Sequence, residues 1–301
     1  MGGYLFVHFT GEEKDGEQIY YSLSQDGLNW EDLNNGKPVL YSHLGQLGVR
    51  DPFIIRDKEN KKYYLIATDL RIEAGKGWEA AQYEGSRSLI IWESEDLLHW
   101  GSERSIKIGV EGAGCVWAPE AIYDEVERAF LVFFASMIKL PGDETPKQRV
   151  YASYTEDFKK FTDPFVYIER DNHVIDTTIV YDGKKYYRFT KDETTKKILM
   201  ETSKTLKSKD FSIVKSKILN DITGVEGPEI YQLPDKKWCL IIDQFAEDKG
   251  YLPLISQNLS QGKFRVLGND EYNLGKTKKR HGGVLRLTDE EYENIYQEYC
   301  K

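Results

Sequence analysis

The stretch Asp51-Pro-Phe-Ile-Ile, followed after a polar turn by Tyr63-Tyr-Leu-Ile-Ala-Thr68, decides the fold because it recurs along the chain. Short aromatic and β-branched runs bounded by Gly, Asp, Asn and Lys are typical of β-strands, so each copy predicts a hairpin. The three further copies are Ala118–Tyr123 with Phe130–Ala135, Asp176–Tyr181 with Lys185–Thr190, and Gly227–Tyr231 with Trp238–Asp243. Repetition at this spacing is the sequence signature of a repeat architecture such as a propeller.

A third strand follows each hairpin and often ends in a Ser-x-Asp turn and an aromatic residue, most clearly over Ile90–Trp100 and Val150–Phe161. The first strands begin at residues 51, 118, 176, 227 and 281, which are 67, 58, 51 and 54 residues apart. Each interval is long enough for a four-stranded blade with its loops.

The two ends of the chain supply complementary parts of one blade. Tyr4–Thr10 and Ile19–Trp30 read as a second and a third strand without a first, and His281–Thr288 reads as a first strand without the others. We therefore predict an all-β fold, a five-bladed β-propeller over residues 1–301, closed by N-terminal strands pairing with a C-terminal first strand. A β-sandwich, the alternative, would not predict complementary ends. A helical period occurs only near Thr288–Tyr299.

Composition narrows the class of protein. The 50 acidic and 41 basic residues give a net charge of -9 and form no Lys/Arg stripe, so no nucleic-acid partner is expected. Cys115, Cys239 and Cys300 lack the spacing of a disulfide framework or a zinc site. No apolar run is long enough to span a membrane. The compartment stays open: cytoplasmic if the chain is complete, secreted or periplasmic if a signal peptide preceded it. The oligomeric state also stays open.

The starts of the five first strands should surround one mouth of the central channel. The residues brought together there are Arg50-Asp51, Trp117-Ala118, Ile175-Asp176, Glu226-Gly227 and Arg280-His281. Hydrolysis of a glycoside needs one carboxyl to protonate the leaving oxygen and one carboxylate to activate water or attack the sugar. A third carboxylate would raise the pKa of the acid by repulsion. Asp51, Asp176 and Glu226 each have an ordinary structural reading alone, but their places in three blades favour a catalytic site.

The neighbouring residues keep two readings each. Trp117 is either blade packing or a platform for the apolar face of a sugar. His281 alone would more often be a hydrogen-bonded interior histidine than a ligand or a base. Five other acids, Asp69, Asp192, Asp243, Glu120 and Glu229, are candidates for supporting or subsite positions.

The stretches that open the five first strands together resemble glycoside hydrolase family 43, over essentially the whole chain. They are Val49–Ile54, Val116–Ala121, Val174–Ile179, Val225–Ile230 and Arg280–Val284. The resemblance implies an inverting glycoside hydrolase with Asp51 as general base, Glu226 as general acid, and Asp176 orienting Glu226 and tuning its pKa. Inversion implies about 6.5–9.5 Å between the base and acid carboxyls. The chain departs from the family in the 50 residues before Asp51 and in reading Asp176-Thr177 where Asp-Pro is frequent.

The resemblance also suggests how the site meets its ligands. Trp117, Arg50 and Arg280 are the candidate substrate-binding residues. His281 corresponds to a histidine on the channel axis and is a candidate metal residue, directly or through water, for a Ca²⁺ in the channel. The chemistry itself requires no cofactor.

The expected function is an exo-acting α-L-arabinofuranosidase on oligosaccharides derived from arabinan or arabinoxylan, the sugar being implied by the resemblance alone. A β-xylosidase is the nearest alternative, and a non-catalytic glycan-binding propeller is the alternative from another class. A retaining fructan-type hydrolase would need an Asn-Asp-Pro-Asn motif, which is absent. The long loops Leu70–Arg87 and Met137–Gln148 are candidates to close the pocket.

Overall fold

The computed structural model describes residues 2–300 as twenty strands and three α-helices. In chain order the strands are β1 (Tyr4–His8), β2 (Tyr20–Ser24), β3 (Glu31–Asp32), β4 (Val49–Asp57), β5 (Lys62–Asp69), β6 (Ser88–Ser94), β7 (Arg104–Lys107), β8 (Trp117–Asp124), β9 (Ala129–Ile138), β10 (Lys147–Thr155), β11 (Phe165–Ile168), β12 (Val174–Tyr181), β13 (Tyr186–Asp192), β14 (Lys197–Ser203), β15 (Ser212–Ile213), β16 (Glu226–Gln232), β17 (Trp238–Asp243), β18 (Tyr251–Ser256), β19 (Arg265–Val266) and β20 (Gly283–Arg286). The helices are α1 (Trp78–Tyr83), α2 (Lys217–Asp221) and α3 (Asp289–Tyr299).

The strands form five antiparallel four-stranded sheets, β4–β7, β8–β11, β12–β15, β16–β19 and β20-β1-β2-β3. The innermost strands contact one another in a ring, β4 with β8, β8 with β12, β12 with β16, β16 with β20 and β20 with β4. The prediction of a five-bladed β-propeller is confirmed. In the fifth sheet, β20 pairs with β1 from Tyr4↔Arg286 to Val7↔Gly283.

The aromatic and aliphatic strands are buried on both faces because each blade packs between two neighbouring blades. Strand β9 is buried at every residue. Successive side chains of a strand point to opposite faces of the sheet, so Phe134 packs with Tyr64 of the first blade while Phe133 packs with Tyr167. Burying a side chain of this size stabilises the fold by about 1.5–3 kcal/mol.

Ser-x-Asp turns, and the equivalent turn Thr155-Glu156-Asp157, end the third strands by a repeated hydrogen-bond pattern. The Asp26 carboxylate accepts from the amides of Leu28 and Asn29 at 2.8 and 2.7 Å, and Asp96 and Asp157 make the equivalent bonds two and three residues on. Side-chain bonds of this kind replace the backbone partners that a turn leaves unpaired.

The C-terminal helix begins where the sequence predicts it. The Thr288 side chain accepts from the Glu291 amide, and the Glu291 side chain bonds back to the Thr288 amide, which satisfies two otherwise unpaired donors. Strand β20 covers Gly283–Arg286 and is shorter at both ends than the predicted His281–Thr288; at the C-terminal end the Thr288 amide donates to Glu291 instead of to a strand partner. Of the helices within residues 2–300, none is long and apolar enough to cross a bilayer.

Candidate active site

The pairing of first and second strands places the five predicted dipeptides at one height around the channel. The cross-strand pairs are Arg50↔Thr68, Trp117↔Ala135, Ile175↔Lys191 and Glu226↔Asp243, and the Arg280 amide donates to the Phe9 carbonyl in the fifth blade. The sheet pairing therefore gives the same alignment of the first strands as the sequence repeat.

In the first four dipeptides, the second residue lies in a β-bulge and has a left-handed backbone conformation. The φ values are 49° at Asp51, 48° at Ala118, 45° at Asp176 and 50° at Gly227. A non-glycine residue in this region carries strain of about 1–3 kcal/mol, and such strain concentrates at functional sites. Asp51 and Asp176 thus occupy equivalent places, whereas Glu226 lies one residue earlier, at the position of Arg50.

Besides its positive φ, Gly227 has a steric reason to be a glycine. A Cβ atom there would lie 2.8 Å from Cγ of His281. Because the ring of His281 fills this space, no larger residue fits without displacing it. The glycine therefore allows Glu226 and His281 to share the channel mouth.

One cleft of about 450 Å³ contains every residue that the sequence predicted for the site. These are Arg50, Asp51, Trp117, Asp176, Glu226, Arg280 and His281. The lining also includes Ile175 from the predicted ring and four residues that the sequence did not indicate: Glu12, Lys191, Glu193 and Phe245. Of the two loops predicted to close the pocket, Leu70–Arg87 supplies Leu70, Trp78 and Gln82.

Asp51 lies in surroundings that favour its charged form. The Thr68 hydroxyl donates to its Oδ2 at 2.9 Å, and Nδ1 of His281 lies 3.5 Å from its Oδ1. Burial opposes ionisation, but the interactions with His281, the charge of Arg50 and the Thr68 hydroxyl outweigh it and lower the pKa of Asp51. A carboxylate that stays ionised suits the role of a base.

Asp176 lies in the opposite situation. Its Oδ2 accepts from the Gly227 amide at 3.1 Å, which is the peptide bond that follows Glu226, and its Oδ1 lies 3.9 Å from Nδ1 of His281. Burial, together with the charges of Glu226 and Asp51, raises the pKa of Asp176 to about 6 against the lowering effect of His281 and Lys191. Asp176 thus contacts the backbone of Glu226 and holds a proton more readily than Asp51 does.

Glu226 is held between two cations. Its Oε2 lies 2.7 Å from Nζ of Lys191, and its Oε1 accepts from Nη2 of Arg280 at 3.1 Å. Burial opposes the charge, but Lys191 and Arg280 outweigh it and lower the pKa of Glu226. The repulsion from Asp51 raises this pKa as expected, but the charges of Lys191 and Arg280 contribute more, so the net shift in the free protein is opposite to the expected one.

The two basic partners are themselves fixed by further contacts. Lys191 is 2% exposed, pairs with Glu193 at 2.6 Å and lies 4.4 Å from the Phe245 ring centroid. Arg280 donates from Nε to Oδ2 of Asp243 at 2.5 Å. Asp243 is thus a supporting residue of the site, as the sequence allowed.

His281 lies at the centre of the acids. Its Nε2 is 3.8 Å from Oε1 of Glu120, on the side away from Asp51. Burial opposes a charge on the ring, but Asp176, Asp51 and Glu120 outweigh it and raise the pKa of His281 well above its usual value. The imidazole is therefore expected to be protonated, with both ring nitrogens as donors.

Two carboxyl groups lie deeper in the channel. Burial raises the pKa of Glu120 to about 7, against the lowering effect of His281, and burial with the charge of Glu120 raises the pKa of Glu229 well above its usual value. Glu229 accepts from the Thr178 hydroxyl at 3.1 Å and from the Val284 amide at 2.7 Å. These groups support the channel below the three acids.

The channel axis is where the sequence predicts a metal ion. Within residues 2–300, no three His, Cys, Asp or Glu side chains are grouped so as to hold one. No step is assigned to Ca²⁺, and a calcium ion held by His281, directly or through water, stays a prediction.

The remaining candidates have structural partners. The Arg50 guanidinium pairs with Glu17 at 2.9 Å. The Asp69 carboxylate accepts from the Gln46 amide at 2.7 Å, and Asp192 accepts from the amides of Thr194 and Thr195. Asp69 and Asp192 therefore anchor loops and do not line the cleft.

Two supporting residues that the sequence missed, Thr68 and Lys191, share one position with Asp243, which it had indicated. All three stand on second strands, opposite the first residues of the dipeptides. Extending the repeat alignment from first to second strands would have found them. Trp78 has no such signal, because it lies on a helix that has no counterpart among the repeats.

A five-bladed propeller with three carboxylates of divided pKa around one cleft defines the class as a glycosidase domain. Residues 1–293 match the glycoside hydrolase 43-related family described as "Probable glycosyl hydrolase domain". The chain belongs to this family.

Individual relatives agree with this class. The chain is 31% identical over 88% of its length to an α-L-arabinofuranosidase of Bifidobacterium longum subsp. longum, and it spans 28% of the length of that relative. Two solved structures share the fold. An exo-β-1,3-galactanase of Phanerochaete chrysosporium, solved with β-1,3-galactotriose, has a TM-score of 0.60 at 12% identity over 89% of this chain and 60% of that one. An endo-1,4-β-xylanase of Bacteroides thetaiotaomicron has a TM-score of 0.59 at 15% identity over 88% and 91%.

Proposed function

We propose that this propeller is an exo-acting α-L-arabinofuranosidase domain that hydrolyses arabinan- or arabinoxylan-derived oligosaccharides with inversion. The observation that carries the chemistry is the division of the three carboxyl groups in one cleft, with Asp51 held ionised and Asp176 protonated more readily. The 31% identical arabinofuranosidase supports the choice of sugar.

In the proposed reaction, Asp51 accepts a proton from water as the water attacks the anomeric carbon. Glu226 gives a proton to the departing glycosidic oxygen, and the C–O bond breaks with inversion at that carbon. Asp176 holds the peptide bond after Glu226 and so positions the acid. Trp117, Arg50 and Arg280 contact the sugar.

The cations around Glu226 have a consequence for pH. Glu226 must be protonated to act, yet Lys191 and Arg280 lower its pKa in the free protein. The three acids titrate as a coupled group. We therefore expect kcat/KM to be highest at acidic pH and to fall as the pH rises and the group loses its proton.

The sugar is tested with 4-nitrophenyl α-L-arabinofuranoside, β-D-xylopyranoside and β-D-galactopyranoside. We expect the arabinofuranoside to be cleaved fastest, and proton NMR should show the inverted anomer first. Faster cleavage of another sugar would refute the choice of arabinose, and a first product with retained configuration would refute the roles of Asp51 and Glu226. Glycan binding without hydrolysis would favour the non-catalytic alternative.

The acid is tested by changing the leaving group. Glu226→Gln should lower kcat about 10²–10⁴-fold on an oligosaccharide, whose leaving oxygen needs a proton. The loss should be much smaller on a 2,4-dinitrophenyl glycoside, whose leaving group departs as an anion. Equal losses on both substrates would show that Glu226 is not the proton donor.

A further inference from the structure

Trp78 lines the cleft although 45% of its surface is exposed. It lies on α1, and Gln82, four residues further on the same face of the helix, also lines the cleft. A large aromatic ring exposed beside catalytic carboxylates is a candidate contact for ligand, since exposed apolar surface in a concave site is where ligands gain burial.

Trp78 is already held in place in the free protein. The Arg50 guanidinium lies 4.8 Å from its ring centroid and 4.5 Å from that of Phe9. The Glu17 carboxylate accepts from Arg50, and also from the amides of Ile72 and Glu73, each at 2.9 Å. Glu17 therefore fixes both the cation beside the ring and the loop that carries the ring. A ligand would find the surface preorganised, which lowers the entropic cost of binding.

Trp78 and Trp117 form a corner. Their ring centroids are 6.0 Å apart and their planes meet at 85°. One ring can cover the apolar C–H face of a sugar while the other covers its edge. The rings therefore suit a cyclic sugar better than a flexible or flat ligand.

The position of the corner relative to the acids indicates which sugar it contacts. The side chains of Asp176 and Asp51 are 8% and 15% exposed, whereas Trp78 is far more open to solvent. The sugar that carries the scissile bond lies at the acids, so the next ring of an oligosaccharide lies further out. We infer that Trp78 is the platform for the sugar ring on the leaving-group side and determines specificity for oligosaccharides. This inference rests on the proposed glycosidase function.

The test compares two substrates of the same sugar, a methyl glycoside and a trisaccharide, in the full chain. Trp78→Ala should lower kcat/KM on the trisaccharide about tenfold more than on the methyl glycoside, mainly through KM. Trp78→Phe, which keeps an aromatic face, should retain most of the wild-type kcat/KM on the trisaccharide. Tyr83→Ala is the matched control, because Tyr83 is 50% exposed on the same helix and lies outside the cleft.

Equal losses on both substrates would overturn the inference, since they would show that Trp78 only supports Arg50 and the acids. An absence of any loss would also overturn it. The choice of arabinose is tested separately by wild-type activity, and if another sugar is cleaved the comparison is made with glycosides of that sugar. If wild type cleaves none, calorimetric binding of the same trisaccharides decides: about tenfold weaker binding by Trp78→Ala supports the platform, and unchanged binding refutes it.

Discussion

Asp51 and Asp176 occupy equivalent bulges of the first and third blades, with φ values of 49° and 45°, yet the pKa values of their carboxyl groups shift in opposite directions. The pKa of Asp51 is lowered, and that of Asp176 is raised to about 6. Both carboxyl groups lie within 4 Å of Nδ1 of His281, at 3.5 and 3.9 Å, so the histidine alone does not account for the difference in pKa. Asp51 has the Thr68 hydroxyl and the charge of Arg50, whereas the charges of Glu226 and Asp51 raise the pKa of Asp176. Equivalent backbone positions therefore acquire different pKa values from their neighbours around the channel.

The most direct test of the difference between Asp51 and Asp176 is to remove each carboxylate. Asp51→Ala should lower kcat about 10²–10⁴-fold because the base is lost, and Asp176→Ala should cost less, about 10–10²-fold, because it acts through Glu226. Azide, a nucleophile that needs no deprotonation, should partly restore Asp51→Ala and not Asp176→Ala. Kinetics with and without azide check this.

Asp182→Ala is the control for those variants, because Asp182 caps the turn at the other end of the strand that carries Asp176. It should keep the wild-type rate. Equal rescue of both active-site variants by azide would show that the two aspartates do not have separate roles.

The second prediction concerns the charge beside Glu226. Lys191 lowers the pKa of both Glu226 and Asp176, so Lys191→Met should raise both. Because activity requires the protonated acid, the alkaline limb of kcat/KM should move to higher pH by about 1 unit or more. Lys191→Arg keeps the charge and should leave the limb close to its wild-type position. A limb that does not move in Lys191→Met would mean that another group sets it.

The smallest effect is expected at Thr68. Its hydroxyl donates to Asp51 and accepts from the Ala118 amide at 2.8 Å. Thr68→Val removes the donor, so the pKa of Asp51 should rise by about 1 unit and the acid limb of kcat/KM should move to higher pH. Thr68→Ser keeps both bonds and serves as the control. A shift of the same size in Thr68→Ser would show that packing, and not the hydroxyl, is responsible.

The repeat was sufficient to predict the height at which the acids meet, because it aligned the starts of the five first strands, which surround one mouth of the channel. It located Asp51, Asp176, Glu226 and His281 in one cleft. It did not predict the end of β20, because the capping of α3 by Thr288 competes with strand pairing at that point.

The sequence by itself therefore determined the five blades and the ring of dipeptides around the channel, since both follow from spacing along the chain. Only the tertiary structure decided the pKa shifts of those acids and which aromatic side chains line the outer part of the cleft. Lys191 reaches Glu226 across 35 residues of sequence, and Trp78 meets Trp117 from a helix outside the repeat. Desolvation and charge interactions depend on distance through space, which the spacing of residues along a chain does not specify.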